Sequence, residues 1–200
     1  MKVSRKGMLI VISAPSGTGK GTLCARLLKD HPEMRFSVSA TTRQPRVGEE
    51  NHKHYHFISE EQFDQLLAED AFLEHATVHG HRYGTLRAEV DAGIKAGACM
   101  LLDIDTQGAL SVMSKMRNTV SVFILPPSYQ VLRQRLYSRN TDCEDEIERR
   151  LDAARAEVAM MRRYRYVIIN DNLDEAYQQL HHIIEAEKLR TIRYYPTMDD

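Results

Sequence analysis

The chain has 200 residues, of which 27 are Lys or Arg and 28 are Asp or Glu, so its formal net charge is −1. A chain of this length can bury one sizeable core and requires no second domain, and the balanced charge gives no general reason to expect a nucleic acid or an acidic membrane as partner. Three widely spaced cysteines argue against a disulfide scaffold, and no apolar run approaches the ~18 residues of a membrane span. We therefore expect a soluble, cytoplasmic protein.

The first predicted element is a buried strand at residues 8–12, which leads into the segment SAPSGTGKGT at residues 13–22. Glycines let backbone N–H groups converge on an anion, the following helix adds its N-terminal dipole, and Lys20 supplies a mobile positive charge. The usual motif has Gly first and Ser or Thr directly after the Lys, where this chain has Ala14 and Gly21. The segment predicts a phosphate-binding loop, and hence a nucleotide, without deciding the reaction.

Apolar runs alternate with stretches of helical periodicity along the rest of the chain, which predicts an α/β fold with helices lying on a parallel sheet. Further strands are predicted at residues 99–104, 120–125 and 166–169. One helix is predicted from the phosphate loop to Leu28, and another begins at a capping box at residues 59–62. Three more helices are predicted over 106–116, over 144–164 and from about Asp174 to Leu189.

The pattern changes between Phe36 and Tyr83, where short polar strands, the first at residues 36–39, surround a charged, turn-rich segment at residues 43–53. This change predicts a small inserted lobe. A polar break at residues 138–143 separates two charged helices and predicts a second, mobile insertion.

Six of the nine histidines lie at residues 52–81. His52, His54 and His56 alternate along a segment of strand character, but no carboxylate or Cys completes a ligand set there. We interpret them as surface histidines rather than as a zinc site.

Two acids follow the strand at residues 99–104. Alternation along the strand places Asp103 and Asp105 on one face, so that one would handle Mg²⁺ while the other meets a substrate. Alternatively, they are the polar end of the strand and the cap of the helix that begins near Thr106. The spacing alone leaves both interpretations open.

Arg43 and Arg46 lie three residues apart around Pro45, which stiffens the segment and limits how far the two guanidinium groups diverge. Two fixed guanidinium groups bind a phosphate well. Exposed loop arginines are otherwise simply solvated, so the pair supports a phosphate site only in company with other features.

Nearly the whole chain, from about residue 7 to 190, resembles the guanylate kinase family, whose members move the terminal phosphate of ATP to GMP or dGMP. The resemblance implies a P-loop NTPase-type parallel sheet flanked by helices, in a single domain over 1–200 with a core at about 1–35, 91–134 and 165–200, a GMP-binding lobe at about 36–90 and a short lid at about 135–164. The segments that carry it, in order, are APSGTGKGT, SVSATTRQPRVGE, HYHF, FLEHATVHGHRYGT, LLDIDTQGA, FILPPS, LRQRLYSRN, IERRL and VIINDNLDEA.

The resemblance also implies an acceptor site. Guanine presents N1–H and N2–H₂ donors beside the O6 acceptor, which suits carboxylates next to a hydroxyl group, whereas adenine reverses that edge. Tyr55 and Tyr83 are alternatively core aromatics with surface hydroxyls. The implied guanine contacts are Ser39, Glu74, Thr85 and Asp105, and the implied contacts to the GMP phosphate are Arg43, Arg46, Tyr55 and Tyr83.

The donor side follows in the same way. The resemblance places Arg135, Arg139 and Arg150 over the ATP phosphates and the transferring group, with Arg135 and Arg139 on one helical face, and with Lys20 of the phosphate loop they are the expected catalytic residues. Thr22, the nearest hydroxyl after Lys20, and Asp103 are the expected Mg²⁺ residues, directly or through water. The implied ATP-binding residues are Ala14, Pro15, Ser16, Gly17, Thr18, Gly19, Lys20, Gly21, Thr22 and Asn170.

Two other functions stay open at this stage. The sequence GKGT also occurs in kinases for AMP, so the acceptor is alternatively another nucleoside monophosphate. Scaffold proteins contain related domains without catalysis that bind phosphorylated peptides, but these typically degrade the phosphate loop, whereas Lys20 and the lid arginines are intact here. We expect ATP and GMP or dGMP as partners, no nucleic acid and no membrane, and leave a homo-oligomer open.

Overall fold

The computed structural model describes residues 2–78, 80–138 and 143–197. The strands are β1 (Lys2–Arg5), β2 (Met8–Ser13), β3 (Met34–Phe36), β4 (Ala40–Thr41), β5 (His56–Phe57), β6 (Phe72–Val78), β7 (His81–Leu86), β8 (Cys99–Asp103), β9 (Val120–Leu125), β10 (Tyr166–Ile169) and β11 (Tyr194–Thr197). The helices are α1 (Lys20–Asp30), α2 (Glu60–Ala68), α3 (Arg87–Lys95), α4 (Thr106–Lys115), α5 (Tyr129–Tyr137), α6 (Glu144–Ala159) and α7 (Leu173–Lys188).

The central sheet has five parallel strands in the order β10-β9-β2-β8-β3, which confirms the predicted α/β class. Strand β2, which leads into the glycine-rich loop, lies in the middle and is buried along its whole length. Strand β10 was predicted as a buried strand but lies at the edge, where Val167 and Ile169 are exposed. The carboxyl ends of β2, β8, β9 and β10 meet at one edge, the usual ligand-binding edge of such sheets.

Helices cover both faces of this sheet, as the alternation of side chains along β2 requires. Ile10 and Ile12 face a cluster that includes Leu23 of α1 and Leu180 of α7. Leu9 and Val11, on the opposite face, pack in a cluster with residues of α3 and α4. Because both faces are covered, every residue of the strand is apolar up to Ser13.

A second sheet, in the order β5-β4-β7-β6, forms a lobe beside the central sheet. Helix α2 packs on it through Phe63, whose ring stacks on Phe72 at 4.5 Å. The predicted capping box is present, since the Gln62 N–H donates to Ser59 Oγ and the Ser59 N–H donates to Gln62 Oε1. The lobe strand predicted at residues 36–39 is wrong, because Phe36 pairs with Leu101 in the central sheet.

The chain termini pair with each other. Strands β1 and β11 form an antiparallel ribbon in which Arg5 lies opposite Tyr194, an element that the sequence analysis did not predict. The last helix ends at Lys188, and Leu189, predicted to lie in it, is its exposed C-cap. No helix within the described residues combines the length and apolarity that crossing a bilayer requires.

Candidate functional site

The glycine-rich loop requires glycine at two positions. Gly17 and Gly19 have φ angles of 94° and 88°, in the left-handed region that disfavours other residues. A Cβ on Gly17 would also lie 3.0 Å from Leu136 Cδ2 of α5, and one on Gly19 would lie 2.6 Å from Asn170 Nδ2. The loop is therefore packed closely between the end of β10 and helix α5.

Side-chain hydrogen bonds hold the same loop in shape. The Thr18 hydroxyl donates to the Pro15 carbonyl at 2.9 Å, and the buried Asn170 amide donates to the Thr18 carbonyl at 2.6 Å. Asn170, which the resemblance assigns to ATP binding, thus contacts the backbone of the loop.

Lys20 is the first residue of α1, and its ammonium group forms an ion pair with Asp103. The strand register explains this contact, since Ile12 at the end of β2 lies beside Asp103 at the end of β8. A cavity of about 440 Å³ extends over the loop, and Asp103, Asp105 and Glu157 complete its lining. Thr22 lies in the first turn of α1 and lines the same cavity.

Glu157 was not singled out by the sequence analysis. It projects from α6 into the phosphate-loop cavity and is half-buried. Burial raises the pKa of its carboxyl group; Lys20 opposes this effect and Asp105 reinforces it. One sequence feature could have identified Glu157: it lies three residues after the buried Ala154, so its charge interrupts the apolar stripe of the helix.

Asp103 and Asp105 do not share a strand face. Strand β8 ends at Asp103, and Asp105 is the N-cap of α4, where its carboxylate accepts from the Gly108 N–H at 2.7 Å. Both side chains nevertheless line the phosphate-loop cavity. Capping and a place in the site are thus combined in Asp105 rather than being alternatives.

Glu74 is a buried carboxylate in the lobe, with a relative exposure of 8%. The Thr85 hydroxyl donates to it at 2.5 Å. A Cβ on Gly108 would lie 2.9 Å from Glu74 Oε2 and 3.3 Å from Asp105 Oδ1, so the two acids approach each other over this glycine. Burial raises the pKa of Glu74; the Thr85 hydrogen bond opposes this and the charge of Asp105 adds to it.

The paired arginines lie in a separate cavity of about 350 Å³, lined by Arg43, Arg46, Glu49, Tyr55 and Tyr83. The rings of Tyr55 and Tyr83 meet edge to face at 5.8 Å, and the Arg43 guanidinium lies 5.5 Å from the centre of the Tyr55 ring. Both tyrosines therefore line the cavity rather than a hydrophobic core.

Glu49, not singled out by the sequence analysis although it ends the quoted segment SVSATTRQPRVGE, is the internal partner of this arginine pair. Its carboxylate accepts from Arg43 Nη2 at 2.8 and 3.0 Å and from the Arg46 N–H at 2.7 Å. These hydrogen bonds, from Arg43 first and then from Arg46, lower the pKa of Glu49 to about 2.

Of the lid arginines, Arg150 contacts the phosphate loop. Its Nη1 donates to Ser16 Oγ at 3.4 Å, and its Nε donates to Glu146 at 3.2 Å. Arg135 Nη2 lies 3.5 Å from the Asp171 carbonyl. Arg139 lies outside the described residues.

Ser39 precedes the lobe strand β4. Its carbonyl accepts from the His56 N–H at 2.9 Å, which joins β5 to this strand, and its side chain is partly exposed. Within the described residues, most of the predicted side chains line the phosphate-loop cavity, line the arginine cavity or form the Glu74–Thr85 pair. Asp105 lines the first cavity and also lies near Glu74.

Phosphate-binding loops and a paired Lys–Asp at the carboxyl edge of a parallel sheet are features of nucleotide-binding proteins. A second polar cavity lies on the lobe beside the central sheet, as expected of a phosphotransferase with two substrates. The fold and the site therefore define a phosphate-loop kinase.

Comparison with known proteins identifies the family. The guanylate kinase family model matches residues 6–187. The chain is 47% identical over 193 residues to the guanylate kinase of Caldanaerobacter subterraneus subsp. tengcongensis, and 48% identical over 193 residues to that of Neisseria meningitidis serogroup A, each match covering 96% of this chain and 94% of the relative. The crystal structure of guanylate kinase from Anaplasma phagocytophilum superposes with a TM-score of 0.75 at 34% identity, covering 97% of this chain and 93% of that one.

The chain belongs to the guanylate kinase family and is a nucleoside monophosphate kinase. The alternative of a non-catalytic peptide-binding module is not favoured.

Proposed function

We propose that this kinase transfers the γ-phosphate of ATP to GMP or dGMP, giving ADP and GDP. The observation that carries the choice of acceptor is the approach of Glu74 and Asp105 over Gly108, with the Thr85 hydroxyl beside Glu74. Two carboxylates accept the N1–H and N2–H₂ donors of guanine, whereas adenine would leave a buried carboxylate without a donor. Ser39, at the start of the lobe, completes the proposed base site.

The acceptor phosphate is proposed to bind Arg43, Arg46, Tyr55 and Tyr83, since these side chains line one cavity. Two guanidinium groups can neutralise and orient a phosphate through paired hydrogen bonds. Glu49 holds Arg43 within this cavity before the nucleotide arrives.

ATP is proposed to bind the phosphate loop at residues 14–22. Backbone N–H groups and the N-terminus of α1 would hold the β- and γ-phosphates, and Lys20 would move from Asp103 toward them. Asn170 supports this site by holding the Thr18 carbonyl.

Mg²⁺ is proposed to accompany ATP. The oxygens of Thr22 and Asp103 suit this hard cation, and both side chains line the phosphate-loop cavity, so these residues would hold it directly or through water. When bound, the ion neutralises charge on the phosphate oxygens.

Phosphoryl transfer needs alignment of donor and acceptor, stabilisation of charge on the moving group, and exclusion of water. We propose that Lys20, Arg135, Arg139 and Arg150 stabilise that charge as the lobe and the lid close. Contact of Arg150 with Ser16 supports this role. We propose a lid over about 135–164. We also propose that the lobe covers about residues 37–86, slightly less than the 36–90 expected from the resemblance, because Phe36 pairs in the central sheet and helix α3 packs on that sheet.

Isothermal titration of GMP into the wild type, Glu74→Ala and Glu69→Ala tests the base site. Glu69 is an exposed carboxylate at the end of α2 and serves as the matched control. We expect GMP binding to be lost in Glu74→Ala and retained in Glu69→Ala. Equal binding by all three proteins would contradict the proposed base site.

A coupled assay of ADP formation with GMP, AMP and UMP tests the choice of acceptor separately. We expect turnover with GMP to exceed that with AMP by about 10⁴ or more. Turnover of AMP at the rate of GMP would reject the proposed specificity while leaving the kinase class intact. The same assay applied to Lys20→Ala tests the phosphate loop, since full activity of that variant would contradict its proposed role.

We also infer a cytoplasmic location, which the use of cysteine supports. Cys24, Cys99 and Cys143 are free thiols in the structure, as in proteins of reducing compartments.

A further inference from the structure

A cluster of possible metal ligands lies where the end of α1 meets α7, remote from the phosphate loop. His31 is the buried C-cap of α1, about 16 Å along that helix from Lys20. Helix α7 contributes His181 and Glu185, four residues apart and therefore on one face. One ligand atom from each of these three residues lies within 4.8 Å of the other two.

The hydrogen bonds of His31 leave one of its nitrogens suited to a metal. His31 Nδ1 lies 3.1 Å from Glu33 Oε1, which only accepts, and 3.4 Å from the Lys188 ammonium, which only donates. We assign the proton to Nδ1 because the carboxylate is the nearer partner. The lone pair of His31 Nε2 then faces His181 Nδ1 at 3.0 Å. A carboxylate that orients a histidine through its outer nitrogen is a recurrent feature of metal sites.

The carboxylates of Glu33 and Glu185 place negative charge beside the three ligands, whereas Arg5, Lys6 and Arg193 place positive charge along the neighbouring cavity. Glu33 and Glu185 share one ammonium group, that of Lys188, which lies 2.5 and 2.7 Å from their Oε1 atoms and 3.4 Å from His31 Nδ1. Two carboxylates and one ammonium leave one negative charge when the histidines are neutral. Lys188 donates to Glu185 Oε1, so we assign Glu185 Oε2 as the oxygen that would bind a metal.

A route for an ion is present beside the cluster. A cavity of about 490 Å³ is lined by Glu33, Glu185 and Lys188, together with Arg5 at the end of β1, Lys6, and residues after α7 that include Arg193. Entry from solvent is one of the requirements of a metal site, besides its ligands and their supporting hydrogen bonds.

We propose that His31, His181 and Glu185 bind a zinc-like divalent cation, with Glu33 orienting His31. Two imidazole nitrogens and one carboxylate suit Zn²⁺ or Co²⁺ rather than Mg²⁺, which prefers oxygen ligands. Ligation through His181 Nδ1 requires its proton to move to Nε2. The bound ion would join the end of α1 to α7 and stabilise the folded state.

Cobalt is the probe for this site, because its visible absorption reports nitrogen ligation and low coordination number. We titrate Co²⁺ into the nucleotide-free protein and then displace it with Zn²⁺. The wild type is expected to give one equivalent of intense visible bands that Zn²⁺ removes. Urea unfolding with and without Zn²⁺ provides a second readout, since a ligand that binds only the folded state raises its apparent stability.

The variants distinguish this cluster from other histidines. His181→Gln and Glu185→Gln are expected to lose the bands and the stabilisation by Zn²⁺, and Glu33→Gln to weaken Co²⁺ binding by about 10- to 100-fold. His182→Gln and His52→Gln are the matched controls, because both side chains are exposed, and both variants are expected to bind like the wild type.

Three results would overturn the proposal: a wild type without stoichiometric bands, a His181→Gln variant that binds Co²⁺ like the wild type, or a control variant that loses binding. Far-UV circular dichroism and unfolding without metal establish that each variant is folded. These readouts do not depend on kinase activity.

Discussion

The carboxylate of Glu49 accepts two hydrogen bonds from one nitrogen of Arg43, at 2.8 and 3.0 Å, inside the cavity proposed for the acceptor phosphate. Glu49 also accepts from the Arg46 N–H, and its own N–H donates to the Arg46 carbonyl at 3.0 Å. Glu49 thus closes the turn at residues 46–49 and also holds the Arg43 side chain. We infer that Glu49 is a positioning residue for phosphate binding.

Replacement of Glu49 by Ala is expected to raise the KM for GMP on the order of tenfold, because a charge-assisted hydrogen bond to Arg43 is lost. We expect a smaller change in kcat and no change in the KM for ATP. Steady-state kinetics with each substrate varied measures this. Glu50→Ala is the control, since Glu50 pairs with Lys53 at the surface. A lower KM in Glu49→Ala would show instead that this carboxylate competes with the phosphate.

GMP binding is expected to weaken at mildly acidic pH through Glu74. Burial raises the pKa of this carboxyl group above that of an ordinary Glu side chain, which is near 4.3. Glu74 therefore takes up a proton at a higher pH than an ordinary Glu does. The protonated oxygen no longer accepts a hydrogen bond from the guanine edge. The KM for GMP should therefore rise as pH falls, beginning above the usual Glu range.

The GMP phosphate itself titrates near pH 6, so the wild-type profile alone does not isolate Glu74. Glu74→Gln supplies the comparison, because it retains the shape of the side chain and has no carboxyl proton. Its KM should be higher throughout and should lack the Glu74 component. Parallel pH profiles for the two proteins would contradict this assignment.

Arg150 and Arg149 are neighbours on α6 with different surroundings. Arg150 contacts Ser16 of the phosphate loop, whereas Arg149 is exposed and pairs with Glu146. Arg150→Ala is expected to lower kcat by about 10²–10³, as when a donor to the reacting group is removed. Arg149→Ala should leave kcat nearly unchanged. Equal effects of the two substitutions on kcat would indicate a general effect on the helix.

Arg193 forms a buried ion pair with Glu187 near the chain terminus, and it also donates to the Asn118 carbonyl at 2.7 Å. Arg193→Met would remove the buried positive charge that pairs with the Glu187 carboxylate. We therefore expect a loss of about 3–5 kcal/mol in the free energy of unfolding. Urea denaturation measures this loss.

Arg190 provides the control, since it approaches the same carboxylate at 3.4 Å from a largely exposed position. Arg190→Met should cost less than about 1 kcal/mol. A similar loss in both variants would mean that burial does not decide the strength of these pairs.

Several elements follow from short stretches of sequence. The all-apolar run before the glycine-rich loop predicted the central strand, and the Ser59–Gln62 capping box predicted the start of α2. Both signals are local, because they depend on alternation along one strand or on side chains three residues apart. Strand β10 was identified as well, but its place at the sheet edge was not, since apolar composition does not specify strand order.

The family motifs named most of the proposed site residues but omitted Glu49 and Glu157. Both are charged residues among many others in their segments. The contacts of Glu49 come from a folded turn, and those of Glu157 come from packing of α6 over the phosphate loop. The sequence left two interpretations open for Asp105, and the structure combines them, because Asp105 caps the helix that begins at Thr106 and also lines the phosphate-loop cavity.

The sequence by itself determined the class of fold, the phosphate loop and the family resemblance, because these depend on residue order within short segments. Only the tertiary structure decided that Glu74 and Asp105 both lie beside Gly108, and that His31 faces His181, 150 residues away. Such contacts depend on strand order, on register and on how helices pack across the sheet, and many sequence-distant residues contribute to each of these.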